Sequence, residues 1–215
     1  MESAAPATEL PPNPEFAVLA SDERIDATAA ALCAHGFEAL VVGRGGDARA
    51  AVLDRIPEGA EVFNNTSVTL EGIGIAGDIE RSGRYRPIRL QLYQMDREMQ
   101  KQEMRRIAAA PDFVVGSAHA VTEDGSVLIA SASGSQLGPI VSGAGRVILV
   151  VGGQKVVPDL ATGLRRLHEY SFRLEDARAR LAYGVPSGVN SILIVSRVRA
   201  RDRVTVILVR ESLGF

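Results

Sequence analysis

The sequence predicts an α/β fold: a Rossmann-like, layered, mostly parallel sheet with helices on both faces and a C-terminal antiparallel hairpin. Three observations carry this expectation. Helical and strand patterns alternate along the chain, the order that builds a sheet layered by helices. The run Arg146–Val151 is almost continuously apolar, as strands buried on both faces of a parallel sheet are. Two β-rich runs, Ser191–Val198 and Arg203–Val209, follow one another across a short charged stretch, which reads as a hairpin.

The elements follow in order. Residues 1–14 are rich in Pro and Ala and read as a disordered or extended tail, with no basic start or long apolar run of a signal peptide. Residues 15–215 read as a single domain. Phe16–His35 is predicted helical through Val18, Leu19, Ile25, Ala29 and Leu32, with Gly36 closing it. Phe37–Val42 is a strand, Asp47–Ile56 a helix and Ala60–Phe63 a second strand. The polar run Asn64–Ser67 then opens a helix that extends to about Arg81. Ile88–Leu92 suggests a short strand, and Asp96 could cap a helix ended by Pro111. Phe113–Val115 and Ser126–Ser131 are strands, the second entered through the turn Glu123-Asp124-Gly125. Pro158–Tyr170 and Leu174–Ala182 are helical.

Composition narrows the function classes. The 215 residues carry a net charge of −2, so no global field recruits nucleic acid or an anionic membrane. No segment is long and apolar enough to span a bilayer, and cytoplasmic residence is the default expectation. A single cysteine, Cys33, excludes an intrachain disulfide and an all-cysteine metal or iron–sulfur site. Its place in an apolar-rich helix suggests a packed thiol. Without a His-Glu-x-x-His pattern or a cysteine pair, no metal is expected, and no cofactor either. Gly43-Arg-Gly-Gly46 and Gly152-Gly-Gln-Lys155 lack the spacing of nucleotide-binding loops.

Lysine is the rarest cation: of 24 basic residues only Lys101 and Lys155 are lysine. Lys155 follows the apolar strand Arg146–Val151 and a glycine pair. There an amine differs from a guanidinium, because burial can lower its pKa. In open α/β sheets ligands bind at the carboxyl ends of the strands, and four such exits are polar. Asn64, Asn65, Thr66 and Ser67, with Thr69 just beyond, follow the second strand; one of them would serve as an N-cap, and four in a row suits a ligand loop. Ser117–Gly125 holds His119 and Glu123: either a structural histidine above an ordinary hairpin turn, or an acid/base or nucleophilic pair. Gly134, Ser135 and Gln136 could present backbone amides to an anion. Gln154 and Lys155 form the fourth exit.

Read in order, these segments resemble the LUD domain family, the lactate-utilisation proteins of the LutC type. The likeness runs from about Asp22 to Phe215. Its carriers are Asn65–Gly74, Ser117–Gly125, Gly134–Leu137, Gly153–Lys155, Tyr183–Ser187 and Glu211–Phe215. The resemblance implies a fold like that of the sugar-phosphate isomerase, glucosamine-phosphate deaminase and coenzyme A transferase superfamily, whose members bind small anionic metabolites or thioesters. In the transferases a glutamate in a Glu-Asn-Gly turn is the nucleophile, and Glu123-Asp124-Gly125 looks similar. Some lactate-utilisation relatives carry a cysteine-rich iron–sulfur region. This chain has one cysteine, so lactate oxidation would need redox subunits carrying the clusters as partners.

The expectation is a protein of organic-acid utilisation that binds a small anionic metabolite. Glu123, His119 and Lys155 are its catalytic candidates. Asn65, Thr66, Ser67, Thr69, Gly134, Ser135, Gln136 and Gln154 are its binding candidates. Two alternatives share the fold: a non-catalytic scaffold or regulatory subunit of a lactate-oxidising complex, and an isomerase or transferase acting on a sugar phosphate or acyl-coenzyme A. A homodimer is the default oligomer.

Overall fold

A computed structural model describes residues 10–215; most of the expected N-terminal tail lies outside the described residues. The chain forms ten strands and eight α-helices among these residues. The strands are β1 (Glu38–Val42), β2 (Glu61–Asn64), β3 (Arg86–Pro87), β4 (Phe113–Gly116), β5 (Ala120–Thr122), β6 (Val127–Ser131), β7 (Arg146–Gly152), β8 (Val156–Val157), β9 (Ser191–Val195) and β10 (Val204–Val209). The helices are α1 (Asp22–Ala34), α2 (Gly45–Arg55), α3 (Val68–Gly72), α4 (Ile75–Arg81), α5 (Ile88–Gln94), α6 (Lys101–Ala109), α7 (Leu160–Arg166) and α8 (Phe172–Tyr183).

Six strands form one sheet in the order β1-β10-β7-β4-β2-β3, every neighbouring pair parallel. Side-chain alternation divides its core in two. Val147, Leu149, Val151, Val206 and Leu208 face Ile25 and Leu32 of α1. Ile148, Val150, Ile207 and Val209 face Ala48 and Val52 of α2 and Ile75 and Ile79 of α4. Apolar residues at successive positions are what a two-faced burial needs, and β7 and β10 supply them. A second sheet, β8-β5-β6-β9, packs on the α1 side through Val121, Val127 and Ile129. Leu164 of α7 covers its other face at Ala120, Leu128 and Val157.

Several expectations need correction. The two C-terminal runs do not pair as a hairpin. β9 joins the second sheet, antiparallel to β6, while β10 inserts between β1 and β7. Burial separates them: β10 is buried at all six positions, as a central strand must be, whereas β9 is partly exposed and forms an edge. The link between them is pinned where Val198 N–H donates to His35 O at 2.8 Å. Gly36 has φ +88°, and a Cβ there would lie 2.1 Å from Val198 O, so both the turn after α1 and this crossing need glycine. Ile88–Leu92 is helical, because Ile88 and Leu92, one turn apart, are the two that reach the core.

At the N-terminal end the helix starts at Asp22 and not at Phe16, since Ser21 caps it by accepting from Arg24 N–H. Before it, Pro14–Ala17 form a 3-10 turn that buries Phe16. Cys33 is exposed, on the outer side of α1, and is not a packed thiol.

Candidate functional site

The parallel sheet places the carboxyl ends of β7, β4 and β2 side by side, and the chain leaves each through a polar segment. From β7 comes a short 3-10 turn, Gly153–Lys155. From β4 comes Ser117–His119, and from β2 comes Asn65–Ser67, with Ser67 capping α3 by accepting from Leu70 N–H at 3.4 Å. These exits meet in a cleft of about 260 Å³. The end of β6 and the residues after it (Ser131–Ser133, Ser135 and Gln136), the start of α8 and the segment Ser187–Val189 supply its other walls, and Phe215 borders it.

Lys155 lies at its base, 1% exposed. Its Nζ donates to Thr69 Oγ1 at 2.9 Å and to Ser117 Oγ at 3.1 Å. Thr69 hydroxyl donates onward to Leu213 O at 3.1 Å. Burial, and secondarily the nearby Arg166 charge, push the Lys155 amine well below the ordinary lysine value. His119 lines the cleft with its Nδ1 accepting from Ala130 N–H at 3.1 Å, so the neutral ring carries its proton on Nε2. Burial first, then the charges of Lys155 and Arg166, hold its pKa down to about 3. His119 is therefore a neutral hydrogen-bond donor across the physiological range, and not a base titrating near neutrality.

Asn65 is 5% exposed and borders the cleft, yet neither its Oδ1 nor its Nδ2 has a hydrogen-bond partner among the described residues. A buried amide left unpaired costs about 1–3 kcal/mol, and here water, an ion or a ligand in the cleft is what can supply the missing partner. It is held close to the β4 exit: a Cβ on Gly116 would lie 2.6 Å from Asn65 Nδ2.

The other expected residues divide. Thr66, Ser67, Thr69, Ser135 and Gln136 line the cleft; Gly134 does not, and serves the turn with φ +75° while its N–H bonds Ser131 Oγ. Gln136 Nε2 is committed to Ala130 O at 3.1 Å. Gln154 is buried as a clamp on the C-terminal segment: Nε2 donates to Leu213 O and Gly214 O, and Oε1 accepts from Leu213 N–H. Glu123 is outside the cleft lining and forms an ion pair with Arg24 Nε at 2.6 Å. Its segment is the β5–β6 turn, with Gly125 at φ +90° packed so close to α1 that a Cβ would sit 2.8 Å from Ala31 C. The hairpin-turn reading of Glu-Asp-Gly accounts for this geometry. Glu123→Gln should accordingly change stability by less than about 1 kcal/mol, as for a half-exposed ion pair, and leave ligand affinity unaltered in isothermal titration.

Three participants escaped the sequence. Glu175 of α8 is the acidic residue that lines the cleft, and both its oxygens accept from Arg178 at 2.7 Å. Ser171 precedes it. Behind the cleft Arg166 is fully buried, and it reaches Gln154 O, His119 O, Ser171 Oγ and Phe16 O. In sequence Arg165-Arg166 looks like a solvated helical pair, so nothing local signals this role. Of the resemblance-carrying segment Tyr183–Ser187, Ser187 lines the cleft.

The architecture and this cleft define an α/β protein whose parallel-strand exits converge on a buried amine. Against known proteins, the model of the LUD domain matches residues 25–209. The chain belongs to the LUD domain family, which is associated with lactate-utilisation proteins. Among solved structures it is similar to a DUF162 family protein from Deinococcus radiodurans, with 12% identity and a TM-score of 0.51, covering 89% of this chain and 99% of that one. That likeness supports the fold. No curated protein matches. Among the described residues no helix is long and apolar enough to cross a membrane.

Proposed function

We propose that the cleft binds a small carboxylate-bearing metabolite, and that the protein serves organic-acid utilisation as LutC-like proteins do. The observation that carries this reading is the unpaired, buried amide of Asn65 beside a buried lysine. Neither Lys155 nor Arg166 has a carboxylate partner among the described residues. An anion would complete the Asn65 amide and the Lys155 amine: the amide donates to one oxygen, and the amine, recharged by the ion pair, supports the other. Neutral His119 Nε2–H offers a further donor. The small cleft favours a compact acid over a whole acyl-coenzyme A. Oxidation of lactate would still require partner subunits with redox centres, because this chain has a single cysteine.

Thermal-shift screening of lactate and other short organic acids against sugar phosphates and coenzyme A esters tests this, since a ligand of the native state raises the midpoint. Short carboxylates should raise it; a response confined to the sugar phosphates or thioesters would overturn the reading. Binding should also be linked to protons. The free amine has a depressed pKa and a bound anion raises it, so binding takes up a proton between those two values. Affinity therefore weakens as pH rises through that window. Titration in buffers of different ionisation enthalpy measures the uptake.

A further inference from the structure

The two hydrogen bonds around Lys155 suit a neutral amine. The side chain makes two, both as donor, to Thr69 Oγ1 and Ser117 Oγ. Each hydroxyl has another acceptor for its own proton: Leu213 O for Thr69, and Ala118 O at 3.3 Å for Ser117. Neither hydroxyl is therefore needed as a donor to the nitrogen. A neutral amine has two N–H groups and one lone pair, so the two donors are accounted for and the lone pair is uncommitted. An ammonium would carry a third N–H, without a partner, in a site 1% exposed. Burial and the neighbouring guanidinium act in the same direction.

We propose that Lys155 is a nucleophile that captures 2-oxo acids as a Schiff base. This rests on the reading of the cleft as a carboxylate site and names its substrate class more closely. Asn65 holds the carboxylate of a 2-oxo acid and presents its carbonyl carbon to Nζ, so in this complex the amine reacts unprotonated; the proton uptake described above belongs to acids that have no carbonyl and pair with the amine directly. The nitrogen lone pair forms the C–N bond while the carbonyl π pair moves to oxygen. One amine proton transfers to that oxygen, giving a carbinolamine. The C–O bond then breaks; the oxygen takes the second amine proton and leaves as water, and the nitrogen pair completes the C=N bond. Amine and ketone thus become imine and water, with no oxidant or reductant. His119 Nε2–H, a donor fixed by the Ala130 bond, stabilises the oxygen as its charge develops. A hydroxy acid of the same size has the carboxylate and lacks the electrophile, so it can occupy the cleft without reacting.

Lys101, exposed on α6, is the other lysine and serves as an internal control. The full-length protein is incubated with pyruvate and sodium cyanoborohydride, which reduces an imine to a stable secondary amine. Modified lysines are then mapped by peptide mass. The expected result is an adduct at Lys155 with Lys101 unmodified, suppressed by excess lactate and absent from Lys155→Arg. If pyruvate raises the thermal midpoint but leaves no adduct, the carboxylate site stands and the nucleophile is overturned. Equal labelling of both lysines, or labelling of Lys101 alone, overturns it as well. Neither shift nor adduct overturns both readings.

Discussion

Replacing Lys155 by methionine should weaken binding of a small carboxylate at least about tenfold while leaving the unliganded protein as stable as before. The two effects separate because the amine does different things in the two states. With an anion bound, it contributes a charge-assisted hydrogen bond of roughly 1.5–3 kcal/mol, and about 1.4 kcal/mol is one decade in affinity. Without one, it is a desolvated polar group, and methionine of similar length fills the same space without that penalty. Removing it orphans neither hydroxyl, since Thr69 keeps Leu213 O and Ser117 keeps Ala118 O. Lys155→Arg should also weaken binding: the guanidinium retains charge but needs a wider set of acceptors than two hydroxyls provide. Isothermal titration with the best ligand, beside urea denaturation of each variant, measures both halves. Unchanged affinity in both variants would remove Lys155 from the site.

Arg166→Met should have the opposite balance, destabilising the fold by about 3–5 kcal/mol. A buried ion can sometimes be exchanged for a hydrophobe at no loss, but that holds when both partners are replaced. Here the partners are largely main chain. Gln154 O, His119 O and Phe16 O remain whatever residue stands at 166, and Ser171 Oγ loses its donor too. Each unsatisfied buried acceptor costs about 1–3 kcal/mol before relaxation. Against a typical total of about 5–15 kcal/mol, the variant would lie near its folding threshold. Arg166→Lys should recover little, because a single ammonium cannot span acceptors on three chain segments. Denaturant midpoints give the answer; a loss under about 1 kcal/mol would show that the carbonyls find other donors.

The parts of this fold legible in sequence were those whose periodicity reports a local environment. Arg146–Val151 announced a central strand, and Gly36 announced the end of a helix; both stand, because two-faced burial and a positive φ each demand a residue type. Pairing was less legible. Ser191–Val195 and Val204–Val209 are both β-rich neighbours, and sequence proximity argues for a hairpin, but only burial tells an edge strand from a central one. The site divides likewise. Lys155, Asn65 and His119 could be placed because strand exits gather at one edge of a parallel sheet. Glu123 sits on a turn of the second sheet, facing Arg24, and no property of Glu-Asp-Gly fixes which way it points. Glu175 and Arg166 come from helices whose charged residues look like solvated faces until the strand exits and the Phe16 turn pack against them.

Thr69 gives the cleft a built-in direction. Its hydroxyl hands its proton to a peptide oxygen at Leu213, and that oxygen belongs to a stretch locked by Gln154 and by Gly214, where a Cβ would lie 2.5 Å from Thr69 Oγ1. A peptide oxygen can only accept, so the arrow from residue 155 through residue 69 runs one way. Side-chain changes elsewhere in the pocket can alter what it holds without reversing that arrow. The segment that leaves β10, a strand whose exit carries no polar side chain of the cleft, thereby sets the orientation of the hydroxyl on which the buried amine rests.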